Sequence, residues 1–247
     1  MTKLSINLNK VAMLRNQRDT GRPGVLDAAR AVIDAGAHGI TVHPRPDERH
    51  IRRSDATELA AMLASEYGDT VEFNIEGNPF PDFMGLIDQV RPHQATLVPD
   101  SPEAATSDHG WDIPANADRL GTVIEALHRM GTRVSLFVDA DPEHVRHARD
   151  VGADRIELYT GPYAEAYGGA EDDAVFAGYR AAGEAARDLD VGLNAGHDLD
   201  LVNLARFQQA MPWLAEVSIG HAFTADALNF GFEGTVKRYL EALGEKR

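Results

Sequence analysis

Residues 39–51, GITVHPRPDERHI, put His43, Arg45 and His50 within eight positions, interleaved with carboxylates and two prolines. Imidazoles exchange protons near neutral pH, and guanidinium groups hold anions through paired N–H donors. Pro44 and Pro46 disfavour regular helix or central strand and stiffen the backbone. A strand that runs into such a loop is a poor core element. It is a good place to hold an anionic ligand beside a proton carrier, because binding residues favour loops on rigid scaffolds. The competing reading is a solvated loop that happens to be basic.

Something must position these groups, and the rest of the chain supplies regular elements. Short apolar or alternating runs recur at residues 4–8, 39–43, 71–76, 95–99, 133–139, 155–159, 191–194 and 216–219. Helix-like periodicity fills residues 24–35, 55–67, 81–90, 116–130, 143–151, 172–189 and 199–210, and the tail 231–247 reads as a last helix. Strands alternating with helices imply parallel pairing through crossovers. Eight of them predict a closed (β/α)₈ TIM barrel, although a doubly wound open sheet has the same local signature. Ser54-Asp55 and Asp141-Pro142 look like helix starts. No linker or low-complexity tract interrupts the chain, so one domain, residues 1–247, is expected. Residues 100–115 and 160–172 form connections longer than a barrel needs, a length associated with lids.

In a parallel barrel the C-terminal strand ends share one face, and active sites lie there. Those ends carry Asn7 and Asn9-Lys10, His43 and Arg45, Glu76, Thr106, Asp139, Glu157, His197 and Gly220-His221. Glu76 and Glu157 sit inside apolar runs, where an unpaired charge is costly to bury. A desolvated Glu76 is suited to general acid or base work near neutrality, and His43 and His197 can carry protons. Residues 218–223, SIGHAF, put Gly-His at a helix start after the last strand, an arrangement that binds phosphate through backbone N–H groups. A second anion site is expected at Arg45 and His50, with Arg15 and Arg18 nearby. Two anion sites among several proton carriers suggest joining two phosphorylated molecules or isomerising one.

Composition narrows the partners. A formal charge of −15 argues against nucleic acid or an anionic membrane as the main partner. The absence of cysteine excludes disulfides and thiolate chemistry and suits a reducing cytoplasm. No secretory pattern opens the sequence and no run nears the roughly 20 apolar residues of a spanning helix, so a soluble cytoplasmic protein is expected. A Schiff-base aldolase has only Lys10 available near a strand end. A metallohydrolase lacks its usual H-x-H, although His43, Glu76 and His197 could ligate a metal. Neither G-x-G-x-x-G nor a P-loop is present.

With these residues in view, the sequence resembles the pyridoxine 5′-phosphate synthase family almost end to end. The carriers, in order, are NLNKVAMLRNQR, GITVHPRPDERHI, FNIEGN, ATLVPD, VSLFVDAD, IELYTGPYA, LNAGH and SIGHA. The resemblance implies a TIM barrel with extra helices that help build an octamer, and no metal or organic cofactor. It also implies condensation of 3-amino-2-oxopropyl phosphate with 1-deoxy-D-xylulose 5-phosphate. Motif by motif, it makes His43 and Glu76 proton acceptors, His197 the proton donor and Glu157 a transition-state stabiliser. It assigns Asn7, Arg18, Asp198, Gly220 and His221 to the aminoketone phosphate, and Arg45, His50 and Thr106 to the sugar phosphate. The chain departs from the better-known members in two places. Asn9-Lys10 stands where they have Asp-His, and Asp198 where they have glycine. A phosphosugar isomerase, epimerase or aldolase on the same barrel, or a non-catalytic phosphometabolite-binding barrel, are the alternatives.

Overall fold

The computed structural model describes residues 1–102, 104 and 107–245. Its strands are β1 (Lys3–Asn7), β2 (Gly39–Val42), β3 (Glu72–Gly77), β4 (Gln94–Leu97), β5 (Arg133–Val138), β6 (Arg155–Tyr159), β7 (Gly192–His197) and β8 (Glu216–Ile219). They pair in sequence order, all parallel, and β8 returns to β1, closing the barrel. The open-sheet alternative is thereby removed. The helices are α1 (Asn9–Asn16), α2 (Val25–Asp34), α3 (Arg53–Glu66), α4 (Pro81–Val90), α5 (Ile113–Arg129), α6 (Pro142–Asp150), α7 (Gly161–Ala166), α8 (Asp172–Asp188), α9 (Leu204–Ala210) and α10 (His221–Ala242). Among the described residues no helix is long and apolar enough to cross a membrane.

Period-2 alternation explains the barrel wall. Leu4, Ile6, Ile40, Val42, Ile75, Leu136, Ile156, Leu158, Val217 and Ile219 are all fully buried, and along their strands they alternate with mostly polar or small residues, Phe137 on β5 being the large apolar exception. Burying one such aliphatic side chain contributes about 1.5–3 kcal/mol. The alternate positions fill the barrel's interior with polar groups. Asn7 on β1 reaches Glu76 on β3, and Asn194 on β7 reaches Gln94 on β4, which requires both pairs to cross the lumen. A buried hydroxyl and amide layer joins Ser5, Thr41, Asn74 and Thr96.

Below that layer, where the strands begin, an ionic network fills the lumen. Arg133 pairs with Glu72 and donates to Gln94, and Arg155 donates to Asn194 at 3.1 Å. Glu216 lies 3.9 Å from Arg155, and among the described residues its Oε1 has no hydrogen-bond partner. Burial, reinforced by the charge of Glu72, pushes the Glu216 carboxyl up to about 8 from its ordinary 4.5, against the pull of Arg155. The unfolded chain releases this proton near pH 4.5, whereas the folded chain keeps it to about pH 8. The native state therefore binds more protons across that window, and stability falls as pH rises through it. Glu216→Gln is expected to unfold at higher urea than the parent at pH 8, by roughly 1–3 kcal/mol, and to match it near pH 4. A variant less stable than the parent at pH 8 would show that Glu216 is held there as an anion.

Several boundaries differ from the sequence expectation for local reasons. Helix α3 starts two residues early because Asp55 Oδ2 accepts the Arg52 backbone N–H at 2.8 Å. Asp141 caps α6 as expected, accepting from the Glu143 N–H. The 160–172 connection is not an open loop but contains α7. Tyr163 on that helix is fully buried against Phe176, Tyr179 and Phe207 and donates its hydroxyl to the Asn203 carbonyl. Such an aromatic anchor makes the segment part of the packed shell. The last helix begins at His221, ten residues before the expected tail, and bends at Gly231, whose φ of 68° only glycine adopts readily.

Candidate active site

The C-terminal strand ends and the loops after them enclose a cavity of about 370 Å³. β1 contributes Asn7 and β2 leads to His43, Arg45 and His50. Glu76 comes from β3, His197 and Asp198 follow from β7, and Gly220 and His221 sit at the join of β8 and α10. Asn9, Lys10, Ser107 and Ser218 also line it. A second cavity of about 520 Å³ lies alongside, lined by Pro44, Phe80, Phe83 and Leu86. His43 and Arg45 border both spaces.

Asn7 organises the floor. Its Oδ1 accepts the Asn9 backbone N–H at 2.9 Å, and its Nδ2 donates to Glu76 Oε2 at 3.2 Å. Asn9 Oδ1 accepts the His43 N–H at 2.9 Å, so one amide chain aligns the two proton carriers. His43 Nδ1 stands 3.8 Å from Glu76 Oε2, and the His43 and His50 rings are 6.3 Å apart. His50 Nδ1 accepts the Ile51 N–H at 2.8 Å, which leaves its Nε2 as the proton-bearing atom. His197 has φ of 71° and its ring packs 5.0 Å from that of Phe137.

Burial sets the protonation states. It lowers His43 well below the ordinary imidazole value, helped by the positive charge of Arg45. It also lowers His50 to about 4, with Arg45 and Lys10 adding to the effect, and it lowers His197 against the opposing charge of Asp198. All three imidazoles are thus neutral at pH 7 in the unliganded protein. Burial and the nearby Asp100 charge push Glu76 up to about 7. Glu157 is raised well above its ordinary value by burial and then by Glu76 and Glu216.

Glu157 is buried and is not among the residues that line the cavity. Both its oxygens lack hydrogen-bond partners among the described residues. A methyl group placed on Gly196 would sit 2.5 Å from Glu157 Oε1 and 2.9 Å from the Ser218 carbonyl, so only glycine admits this carboxyl between β6 and β7. Asp198 turns its backbone N–H to Thr160 Oγ1 at 3.2 Å and leaves its side chain exposed.

Two expected groups, Arg18 and Arg15, stand elsewhere. Arg18 is exposed beyond the end of α1 and does not line the cavity. Thr106 lies outside the described residues. Arg15 is buried and gripped by Asp55, at 2.9 Å to Oδ2, and by the His50 carbonyl, so it braces α1 against α3 instead of facing a ligand. Asp100 also stands at a strand end, where the sequence pattern points to Thr106 instead. It directly follows the β4 run, so the strand-end rule applied to residue 100 rather than residue 106 would have found it. Its carboxylate pairs with Arg45 and accepts from Ser107 Oγ at 2.7 Å. Among the described residues no three His, Asp or Glu side chains are grouped to hold a metal ion.

A family model described as "Pyridoxal phosphate biosynthesis protein PdxJ" matches residues 4–245. The chain is 53% identical to a pyridoxine 5′-phosphate synthase of Albidiferax ferrireducens, over 100% of its own length and 99% of the relative's. It is 52% identical to a protein of the same name from Bacteroides thetaiotaomicron, over 98% and 100%. Among solved structures it is similar in fold to thiamine phosphate pyrophosphorylase from Pyrococcus furiosus. That match has a TM-score of 0.61 and 15% identity, and covers 98% of this chain and 97% of the other. Phosphoribosyl anthranilate isomerase from Thermotoga maritima matches with a TM-score of 0.60 and 14% identity over 99% of both chains. Those two likenesses concern the barrel alone. Half-identity sustained along the full length, together with the family match over residues 4–245, places the protein more narrowly: the chain belongs to the PdxJ family of pyridoxal phosphate biosynthesis proteins.

Proposed function

We propose that the protein condenses 3-amino-2-oxopropyl phosphate with 1-deoxy-D-xylulose 5-phosphate, giving pyridoxine 5′-phosphate, inorganic phosphate and water. The observation that carries this reading is the convergence of His43, Glu76 and His197 on one cavity of the barrel mouth. Imine formation makes a C=N bond and expels water, dehydration and phosphate loss each break a C–O bond, and ring closure makes a C–C bond. Every one of these steps needs a proton taken from the attacking group or given to the leaving group, and positioned side-chain acids and bases can supply that. A neutral His43 and a Glu76 that titrates near 7 are suited to accept protons. His197 begins neutral, and a bound phosphate dianion raises its proton affinity and arms it as a donor. Glu157, kept protonated by burial and then by the charges of Glu76 and Glu216, donates a hydrogen bond to oxyanions formed near it instead of acting as an anion.

In this reading Asn7, Gly220, His221 and the backbone at Asp198 receive the aminoketone phosphate, with Arg18 closing in from the loop after α1. Arg45, His50 and Thr106 receive the ketose phosphate. One domain of residues 1–247 in a cytoplasmic homo-oligomer, an octamer by resemblance, is the working form. Leu228 and Phe230, exposed on α10, support a subunit contact. The test supplies both phosphates to the purified protein and follows the pyridine chromophore and released phosphate together. Product is expected only when both substrates are present. Conversion of either phosphate alone into an isomer, with no chromophore from the mixture, would replace this reading with a phosphosugar isomerase.

A further inference from the structure

His197 faces the wrong way for its place in the strand. Side chains along a strand alternate between the two faces of the sheet. On β7, Leu193 packs against the helix layer, where a methyl group on Gly183 of α8 would meet it at 3.3 Å, and Asn194 turns into the lumen toward Gln94. Gly196 shares the parity of Asn194 and stands against the Glu157 carboxyl. His197 is therefore due to face outward with Leu193 and Ala195. Instead it lines the central cavity, and its ring packs against those of Phe137 and Tyr159. Those two share the parity of Arg133 and Arg155, which face the lumen on β5 and β6. The backbone makes the difference. His197 has φ of 71°, and the Asp198 N–H returns to the Gly196 carbonyl at 3.1 Å. Such a three-residue turn around a positive φ is rare and strained.

A strained turn persists only where its surroundings over-determine it. Here one hydroxyl does so. Thr160, the first residue after β6, is wholly buried. Its Oγ1 donates to the Gly196 carbonyl and accepts the Asp198 N–H at 3.2 Å, so it bonds both ends of the turn. Asn203 adds a tie further out, its Nδ2 donating to the Asp198 carbonyl at 3.1 Å. A donor and an acceptor on one atom is what a hydroxyl supplies and an aliphatic side chain does not. We propose that Thr160 is a positioning residue for His197, its hydroxyl locking the turn that brings the imidazole out of the helix layer and into the cavity. Thr160 does not itself line the cavity, so it acts through His197. Its bearing on turnover rests on the reading of His197 as the proton donor, whereas its hold on the turn does not.

The test is a cycle of Thr160→Val, His197→Ala and the double variant, with Thr160→Ser as the rescue. Valine keeps the shape of threonine and deletes the hydroxyl. Thr160→Val is expected to lower kcat about 10- to 100-fold, the scale of loss when a reacting group is misplaced by about 1 Å, with KM for each substrate moving less than about threefold. Thr160→Ser should stay within about threefold of the parent, since it keeps the hydroxyl. In the His197→Ala background Thr160→Val should change kcat by less than about threefold, because a residue that acts through another loses its effect when that other is gone. A second readout needs no turnover. NMR of labelled histidine, with the His197 signal assigned by its absence in His197→Ala, should show its titration midpoint moving in Thr160→Val and not in Thr160→Ser. Equal losses from Thr160→Val with and without His197, or one midpoint in parent, valine and serine proteins, overturn the proposal. If Thr160→Val does not fold, Thr160→Ala takes its place in the cycle. Failure of both beside a folded Thr160→Ser assigns the hydroxyl to the fold at large and also overturns the proposal. A parent that forms no pyridine, with the midpoint moving in Thr160→Val, ends the condensing reading and leaves this one standing. A parent that forms pyridine, with Thr160→Val matching it, ends only this one.

Discussion

Glu76→Gln is expected to lower kcat by about 10²–10⁴-fold while leaving affinity for each phosphorylated substrate within about tenfold. The amide keeps the shape and the contact with Asn7 but cannot take a proton. The pH profile gives an independent check. Burial and Asp100 hold the Glu76 proton up to about pH 7, so the basic form is the minority below that pH. The parent's kcat/KM should therefore fall with pH below about 7, approaching tenfold per unit. That limb should be absent in the variant's residual activity. Stability points the other way. A carboxyl with a raised value in the folded state makes the native protein less stable as pH climbs from 4.5 to 7, so the glutamine variant should melt no lower than the parent at pH 7. Full turnover in this variant would remove Glu76 from the mechanism, and a lowered melt would mark it as structural.

Arg45→Met is expected to destabilise the fold by about 3–5 kcal/mol, the usual result of stranding one member of a buried ion pair. Both partners are almost wholly buried, at 4% and 3% side-chain exposure. Removing the guanidinium leaves Asp100 with only the Ser107 hydroxyl. Urea unfolding measures the loss, and the double variant Arg45→Met/Asp100→Leu should recover most of it, because a matched apolar pair leaves no unpaired charge. By contrast, deleting the exposed Lys237–Glu233 pair on α10 should leave the urea midpoint unchanged, because solvent screens such a pair. A loss under about 1 kcal/mol in Arg45→Met would show that the β2 and β4 loops do not depend on this contact.

The barrel was largely legible because its wall obeys a short-range rule. β6 and β8 were read to the residue, as was α4, since apolar runs and helical periodicity are local properties. Misreadings fall where tertiary contacts override local pattern. β7 continues through Ala195, Gly196 and His197, a poor strand sequence on its own, because these residues pair with β6 and β8 on either side, and Glu157 requires the residue at 196 to be glycine. α7 is six residues long and opens with Gly161-Pro162, and its folding depends on Tyr163 finding three aromatic rings from α8 and α9. α9 starts five residues late because Asp200 and Asn203 bond each other's backbone and hold a turn before it.

By itself the sequence determined which residues stand at strand ends. With parallel topology, that brings His43, Glu76, His197, Asn7, Gly220 and His221 to one mouth. The charges were decided only by tertiary structure. Arg45 meets a carboxylate 55 positions away and Arg15 one 40 positions away, while Lys10 meets none among the described residues. Coulomb energy falls with distance and rises as water is excluded, and neither quantity exists until the chain has folded.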